Sequence, residues 1–423
     1  MRRYFGTDGV RGVVGEELTA ELVEQLGKAS TLWSGRGRVF VGRDTRGSGP
    51  ELETAFARGV VAAGGNAVLA GVLPTPAVAL LALDLGVVIS ASHNPPEYNG
   101  VKFFDRDGNK LTDRDEEEIE ALLDEPHKTI GGGGGKIDRV EVATDSYLEH
   151  VIERFGSDLS GLKIAVDCAN GAYSDIAPEA FEQLGAEVVA VAADPDGTNI
   201  NLGCGATDLS LLSQVVREER LDLGVAFDGD GDRMLAVDER GEVVDGDQIL
   251  AILALHLEVD LVAVTVMTNL GFHRLMEERG IRVVTTPVGD RYVLEALRRE
   301  GGILGGEQSG HLICLRDHVT GDGLAAALLL CAATRGRKLS EATKVMPRYE
   351  QVQENIRVSS PQVPEGALAE ANRLNRALVG RARVLVRASG TEPLIRVLGE
   401  APTAEEAASL CGRIAALVRR ELG

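Results

Sequence analysis

The sequence predicts an α/β protein of four domains: three similar α/β domains with mixed sheets and a small C-terminal α+β domain. Two observations carry this reading. A strand–helix–strand unit is written three times, and the last 70 or so residues break that pattern. With 423 residues the chain is also too long for a single core.

The repeated unit reads "RVFVGRDTRGSGPELETAFARGVVAAGGNAVLAGVLPTP", then "KIAVDCANGAYSDIAPEAFEQLGAEVVAVAADP", then "LVAVTVMTNLGFHRLMEERGIRVVTTPVG". Each is a β-branched run, a polar loop, an amphipathic helical stretch, a glycine, a second β-run and a proline. Gly65, Gly185 and Gly280 fall where a helix C-cap belongs. Such units build parallel-rich sheets. Each is followed by a further apolar run ending in a polar loop: "GVVISASHNP", "LGVAFDGDGDR" and "GGILGGEQSGH". Functional loops in α/β sheets lie at the carboxyl ends of strands. The fourth segment, "ARVLVRASGTEPLIRVLGEAPTAEEAASLCGRIAALVRREL", reads as strand, loop, strand and a helix capped near Thr403. Expected domains are 1–135, 140–244, 245–350 and 353–423, with "TIGGGGGKID" (129–138) as a linker.

Composition excludes several function classes. Asp and Glu number 65 against 44 Lys and Arg, a formal charge of −21 that repels nucleic acid and anionic membranes. The N-terminus "MRRYFGTDGV" lacks the apolar run of a signal peptide, and no apolar stretch is long enough to span a bilayer. Five scattered cysteines without a CxxC pair read as reduced thiols of a cytoplasmic protein.

The loops carry chemistry. Ser92 ends an apolar strand in "SASHNP"; alone, its neighbours are ordinary turn and cap residues. "DGDGDR" places Asp228, Asp230 and Asp232 at alternate positions. Carboxylates held that close repel unless a cation compensates, and hard oxygens suit Mg²⁺ or Ca²⁺. An EF-hand is rejected, because Arg233 occupies the position that needs glycine and the flanks are strand-like. "GEQSGH" offers Glu307 and Ser309 to grip sugar hydroxyls, with His311 beside them. In "RASGTEPLIR", Arg387, Ser389, Gly390, Thr391 and Arg396 supply what a phosphate dianion needs. Arg11, Arg43 and Arg46 add positive charge, some of it committed to Asp8 and Asp44, and Lys102 is placed to reach back towards Ser92.

Together, "YFGTDGVRG", "SASHNP", "DGDGDR", "VGDRYV" (288–293), "GGEQSGH", "TGDG" (320–323) and "RASGTEPLIRV" resemble, in order, the pattern of the α-D-phosphohexomutase superfamily. Within it the chain is most similar to the phosphoglucosamine mutase family. Tyr98, before "NG", looks instead like the phosphomannomutase/phosphoglucomutase relatives. The resemblance implies four domains around a central cleft, with Ser92 as a phosphoserine. It implies Mg²⁺ held by Asp228, Asp230, Asp232 and that phosphoserine, and sugar recognition by Glu307 and Ser309. Arg387, Ser389, Gly390, Thr391 and Arg396 would hold the non-reacting phosphate, with Arg11, Lys102 and His311 in catalytic support. The implied reaction interconverts glucosamine 6-phosphate and glucosamine 1-phosphate through a 1,6-bisphosphate, with a homodimer as one assembly it allows. Two other classes compete. A sugar-phosphate binding protein would not need Ser92, and an aspartate-nucleophile phosphatase would release free phosphate.

Overall fold

The computed structural model describes residues 3–6, 8–35, 37–123, 134–359, 362–389 and 393–422. The chain divides into two compact units: Met1–Met267 with Val283–Thr343, and Thr268–Arg282 with Lys344–Gly423.

The first unit carries three sheets. One contains β1 (Val10–Val13), β2 (Arg38–Arg43), β3 (Asn66–Val72), β4 (Leu85–Ile89), β5 (Tyr98–Asp105) and β6 (Ile137–Arg139), in the order β1-β5-β4-β2-β3-β6. The next contains β7 (Lys163–Asp167), β8 (Glu187–Val191), β9 (Leu223–Phe227), β10 (Met234–Asp238) and β11 (Val243–Val244), in the order β11-β10-β9-β7-β8. The third contains β12 (Leu261–Thr265), β13 (Arg282–Thr286), β14 (Leu304–Gly306) and β15 (Leu312–Cys314), in the order β13-β12-β14-β15.

The repeat is visible in the topology. The orders β3-β2-β4-β5, β8-β7-β9-β10 and β13-β12-β14-β15 are the same arrangement. In each, the third strand runs parallel to the second and antiparallel to the fourth. The loops that hold Ser92, "DGDGDR" and "GEQSGH", named below by their expected roles as the serine, metal and sugar loops, each join that third strand to the fourth. β4 and β9 are buried along their whole length, as strands covered on both faces must be.

Two local expectations are revised. Gly280 (φ 70°) and Gly185 (φ 94°) take left-handed conformations after their helices, but in the first repeat Gly64 (φ 87°) does so, not Gly65. Gly65 is small for another reason: a Cβ there would lie 2.6 Å from the Thr31 side chain. The segment read as a linker contributes β6, which pairs in parallel with β3 through Ala67↔Ile137 and Leu69↔Arg139. Residues 129–133 of that segment lie outside the described residues. All five cysteines are buried and unbridged, and no helix among the described residues is long and apolar enough to cross a membrane.

The second unit holds β16 (Glu350–Arg357), β17 (Arg383–Ala388) and β18 (Leu394–Ala401), antiparallel in the order β16-β18-β17. Helices Glu365–Ala377 and Ala404–Leu422 bury Ala367, Ala371, Ile414 and Val418 in the same core as Val384, Ile395 and Val397. Thr403 Oγ1 accepts from Glu406 N at 3.3 Å, the expected start of the last helix.

Candidate active site

β4 delivers the serine loop. Ser90 Oγ donates to Asp44 Oδ2 at 2.6 Å and accepts from Ser92 N at 2.9 Å. Ser92 has φ 53°, a left-handed conformation that favours glycine. Strain of that kind persists only where the surroundings enforce it. The Ser92 hydroxyl donates to Asp228 Oδ2 at 2.6 Å and lies 3.2 Å from His93 Nδ1. Burial, then Arg233 and Arg11, push His93 down to about 4, so its ring is neutral at neutral pH.

The metal loop follows β9 and precedes β10, so its flanks are strands, as the rejection of an EF-hand requires. Asp228, Asp230 and Asp232 are buried, and one oxygen from each lies within 4.8 Å of the others. Burial, then Asp232 and Asp230, push Asp228 up to about 7. Thr75 Oγ1 donates to Asp230 Oδ2 at 2.6 Å, and Thr75 N donates to the Asp230 carbonyl at 2.8 Å. Asp230 Oδ1 is buried without a hydrogen-bond partner. An all-oxygen donor set with one orphaned carboxylate oxygen fits a hard divalent cation.

The Lys102 ammonium faces these carboxylates. It lies 2.6 Å from Asp230 Oδ2, 3.1 Å from Asp232 Oδ2 and 3.2 Å from Asp8 Oδ2. Burial opposes its charge, but Asp230, Asp232 and Asp8 hold it protonated well above the ordinary lysine range. Electrostatics therefore turn Lys102 towards the metal loop rather than the Ser92 oxygen. Arg11 pairs with Asp8 and donates to the Ala91 carbonyl at 3.5 Å, one residue before Ser92.

The sugar loop meets the metal loop through His311. Its Nε2 lies 3.1 Å from Asp232 Oδ1 and 3.9 Å from Asp290 Oδ2, and its Nδ1 3.5 Å from Glu307 Oε2. Burial alone would lower His311; Asp232 and then Asp290 outweigh it and raise the group to about 10, so the ring is an imidazolium. Glu307 Oε1 accepts from Gly289 N at 2.9 Å. Ser309 is exposed in the same loop. Ser92, Arg11, Lys102, His311, Glu307 and the three aspartates are thus brought together by contacts within the first unit.

In the second unit, Arg387 and Arg396 face each other across β17 and β18. Arg396 Nη2 donates to Ser389 Oγ at 3.4 Å. Burial and then Arg396 lower Arg387 from its usual value. Like charges directly opposite on paired strands are unfavourable, and an anion between them removes the conflict. Gly390 and Thr391 lie outside the described residues.

Family models match in chain order: phosphoglucomutase/phosphomannomutase alpha/beta/alpha domain I over residues 2–129, domain II over 145–241, domain III over 245–349 and the C-terminal domain over 339–417. The chain belongs to the phosphoglucomutase/phosphomannomutase family, the α-D-phosphohexomutases. Phosphoglucosamine mutase of Streptomyces griseus subsp. griseus is 48% identical over the full length of both chains. That of Geobacillus thermodenitrificans is 45% identical, again over both full lengths. A solved phosphoglucomutase/phosphomannomutase family protein from Burkholderia thailandensis is similar at TM-score 0.84 and 26% identity, covering 99% of this chain and 97% of that one.

Several residues of this phosphohexomutase site escape sequence reasoning. Asp8 bridges Lys102 and Lys110, and Lys110 reaches Asp290 at 2.7 Å. Asp290 lies inside "VGDRYV", the one signal that could have found it. "TGDG" proves to brace the metal loop. Asp322 accepts from Tyr147 at 2.8 Å and Tyr173 at 2.9 Å, and Gly323 N donates to the Gly231 carbonyl at 3.0 Å.

Proposed function

We propose that this phosphohexomutase interconverts glucosamine 6-phosphate and glucosamine 1-phosphate, with Ser92 as the residue that carries the phosphoryl group. The observation that carries the reading is the meeting of a strained serine hydroxyl with a buried carboxylate triad, 2.6 Å from Asp228 Oδ2. A hydroxyl held there gains a phosphoryl group beside the groups that would neutralise it. Asp228, Asp230 and Asp232 would hold Mg²⁺, which when bound offsets charge on the phosphoryl oxygens.

The chain's own residues do the rest. Arg11 and Lys102 lie beside the serine and metal loops and stabilise charge on the transferring group. Phosphoryl transfer relies on such positioning more than on covalent activation. In the forward direction the O–P bond to Ser92 breaks as a new ester forms at the sugar's free hydroxyl, and the proton that hydroxyl loses is balanced by one gained at Ser92 Oγ. The 1,6-bisphosphate reorients, and its 6-phosphoryl group returns to Ser92, leaving the 1-phosphate. Glu307 and Ser309 grip sugar hydroxyls. Arg387, Ser389, Gly390, Thr391 and Arg396 hold the phosphate that is not reacting. The four domains, with the boundaries expected above, each supply one loop, and the enzyme works in the cytoplasm on small sugar phosphates.

The sugar assignment rests on the relatives' names and on "GEQSGH". Tyr98 carries little weight against it: its backbone pairs with Val13 at the start of β5, four positions before Lys102. The test is a side-by-side comparison of glucosamine, glucose and mannose 6-phosphates. We expect the highest kcat/KM for glucosamine 6-phosphate, by roughly 10- to 200-fold, the range that one or two hydrogen bonds provide. A preference for glucose or mannose phosphate would overturn the substrate while leaving the chemistry in place.

A further inference from the structure

Five non-glycine residues with left-handed backbones lie within one small region: Ser92 (φ 53°), Ala169 (φ 54°), Asn170 (φ 46°), Ala192 (φ 44°) and Asn201 (φ 58°), with Asn170 N donating to the Ala192 carbonyl at 2.6 Å. Hydrogen bonds join them. Asn201 N donates to the Ala169 carbonyl at 2.9 Å, and Asn201 Nδ2 donates to the carbonyls of Ser92 at 2.9 Å and Asn94 at 3.2 Å. A second side chain, Arg46, is fully buried and paired with Asp44 at 2.9 Å. Its Nη2 donates to the same two carbonyls, Ser92 at 2.9 Å and Asn94 at 2.7 Å, and its Nη1 to that of Pro95. The Ser92 carbonyl is thus held by two side chains from distant parts of the chain. The metal loop packs against the same carbonyl: a Cβ on Gly229 would lie 2.8 Å from the Ser92 carbonyl oxygen and 2.9 Å from Asn201 Nδ2.

Fixing the Ser92 carbonyl fixes the peptide that follows it and so ψ of Ser92. The 2.9 Å bond from Ser92 N to Ser90 Oγ holds the peptide before it. Together they keep the left-handed backbone from which the hydroxyl meets Asp228. Arg46 follows β2, a strand of the sheet whose β4 carries the serine loop. Asn201 comes from elsewhere; it lies between β8 and β9, in the part of the chain that also carries the metal loop. It therefore ties the position of the serine to the position of its carboxylate triad.

We propose that Asn201 is a positioning residue for phosphoryl transfer, acting through the Ser92 backbone rather than on the substrate. The inference rests on the reading of Ser92 as the phosphoryl carrier. Asn201→Gly keeps the left-handed backbone and removes only the amide. Asn201→Asp keeps shape but sets a carboxylate against two carbonyl oxygens.

The test measures kcat and KM for glucosamine 6-phosphate, thermal stability, and phosphorylation of Ser92 by intact mass after incubation with glucose 1,6-bisphosphate. A misplacement of the reacting group by about 1 Å costs on the order of 100-fold. Asn201→Asp should therefore lower kcat by roughly 10- to 100-fold and slow Ser92 phosphorylation by a similar factor. Asn201→Gly should fall between it and wild type, and in both variants KM should stay within about twofold, because no substrate contact is lost. Normal kcat in both variants, with wild type phosphorylated on Ser92, overturns the role of Asn201 alone. So does a loss of kcat that tracks only a loss of folded protein. If wild type takes no phosphoryl group on Ser92, the carrier reading falls and this inference falls with it.

Discussion

Asp230→Asn separates the electrostatics of the metal loop from its architecture. The substitution removes one charge while keeping the side chain's shape and an acceptor for Thr75. One oxygen from each of the three aspartates lies within 4.8 Å of the others. At that separation and an effective dielectric of about 20, each carboxylate pair repels by about 3.5 kcal/mol. Neutralising Asp230 relieves two such pairs, about 7 kcal/mol. It also forfeits the attraction of Lys102 Nζ at 2.6 Å, about 6 kcal/mol on the same scale. The two effects nearly cancel. Metal-free Asp230→Asn should therefore unfold within a few degrees of metal-free wild type, whereas its response to Mg²⁺ should be lost. A ligand at a hundredfold excess over its Kd adds about 2.7 kcal/mol to the state that binds it. At about 1–1.5 °C per kcal/mol for a unit of more than 300 residues, wild type should gain about 3–4 °C on adding MgCl₂. Differential scanning fluorimetry with MgCl₂ and with chelator measures both quantities. An equal Mg²⁺ shift in the two proteins would place the cation elsewhere. A metal-free variant that melts far below wild type would show that the repulsion was overestimated.

Ser92→Ala should abolish the phosphorylated species seen by intact mass and lower kcat by about three orders of magnitude or more, with little change in thermal stability. Arg396→Gln should raise KM for the sugar phosphate by roughly 10- to 150-fold, the loss of one charge-assisted hydrogen bond worth about 1.5–3 kcal/mol, and an unchanged KM would remove this arginine from the phosphate site. Gly231→Ala should abolish the Mg²⁺ shift, because Gly231 has φ 78° and a Cβ there would lie 2.3 Å from the Tyr173 ring. Tyr173→Phe, by contrast, keeps the ring against Gly231 and loses the 2.9 Å bond to Asp322, so it should cost about 1–3 kcal/mol of stability while the Mg²⁺ response survives.

The three repeats were legible because strand–helix–strand periodicity is local, and the charged loops because their residue types cluster in sequence. What escaped depends on distance along the chain. Asn201 reaches Ser92 across 109 residues, Thr75 reaches Asp230 across 155, and Lys110 reaches Asp8 across 102. Each occupies a stretch that reads as an ordinary turn or strand end, and nothing local marks it. Lys102 shows a different limit. Its neighbourhood was legible but its direction was not, since that is decided by which carboxylates the fold brings to a buried ammonium. Gly65 shows a third: two glycines in a row at a helix end leave open which one takes the left-handed conformation, and the other, Gly65, is small because a side chain there would meet Thr31.

The common position of the three loops explains how the site tolerates its strain. A crossover loop in a parallel sheet must travel to a distant strand. The serine, metal and sugar loops instead join a parallel strand to its antiparallel neighbour, so each is short and anchored at both ends. Ser92 can then be held in a left-handed conformation, and Asp228, Asp230 and Asp232 can be crowded together, without the loops relaxing outward. The charges interleave in the same way. Asp8, Asp228, Asp230, Asp232, Asp290 and Glu307 are set against Arg11, Lys102, Lys110, Arg233 and His311. With Asp228 pushed up to about 7, carboxylates and cations in that layer nearly balance, leaving no net positive charge for a phosphate dianion. A divalent cation makes the layer positive. In a chain of formal charge −21, the metal would then act at the admission of the substrate's phosphate as well as at its transfer.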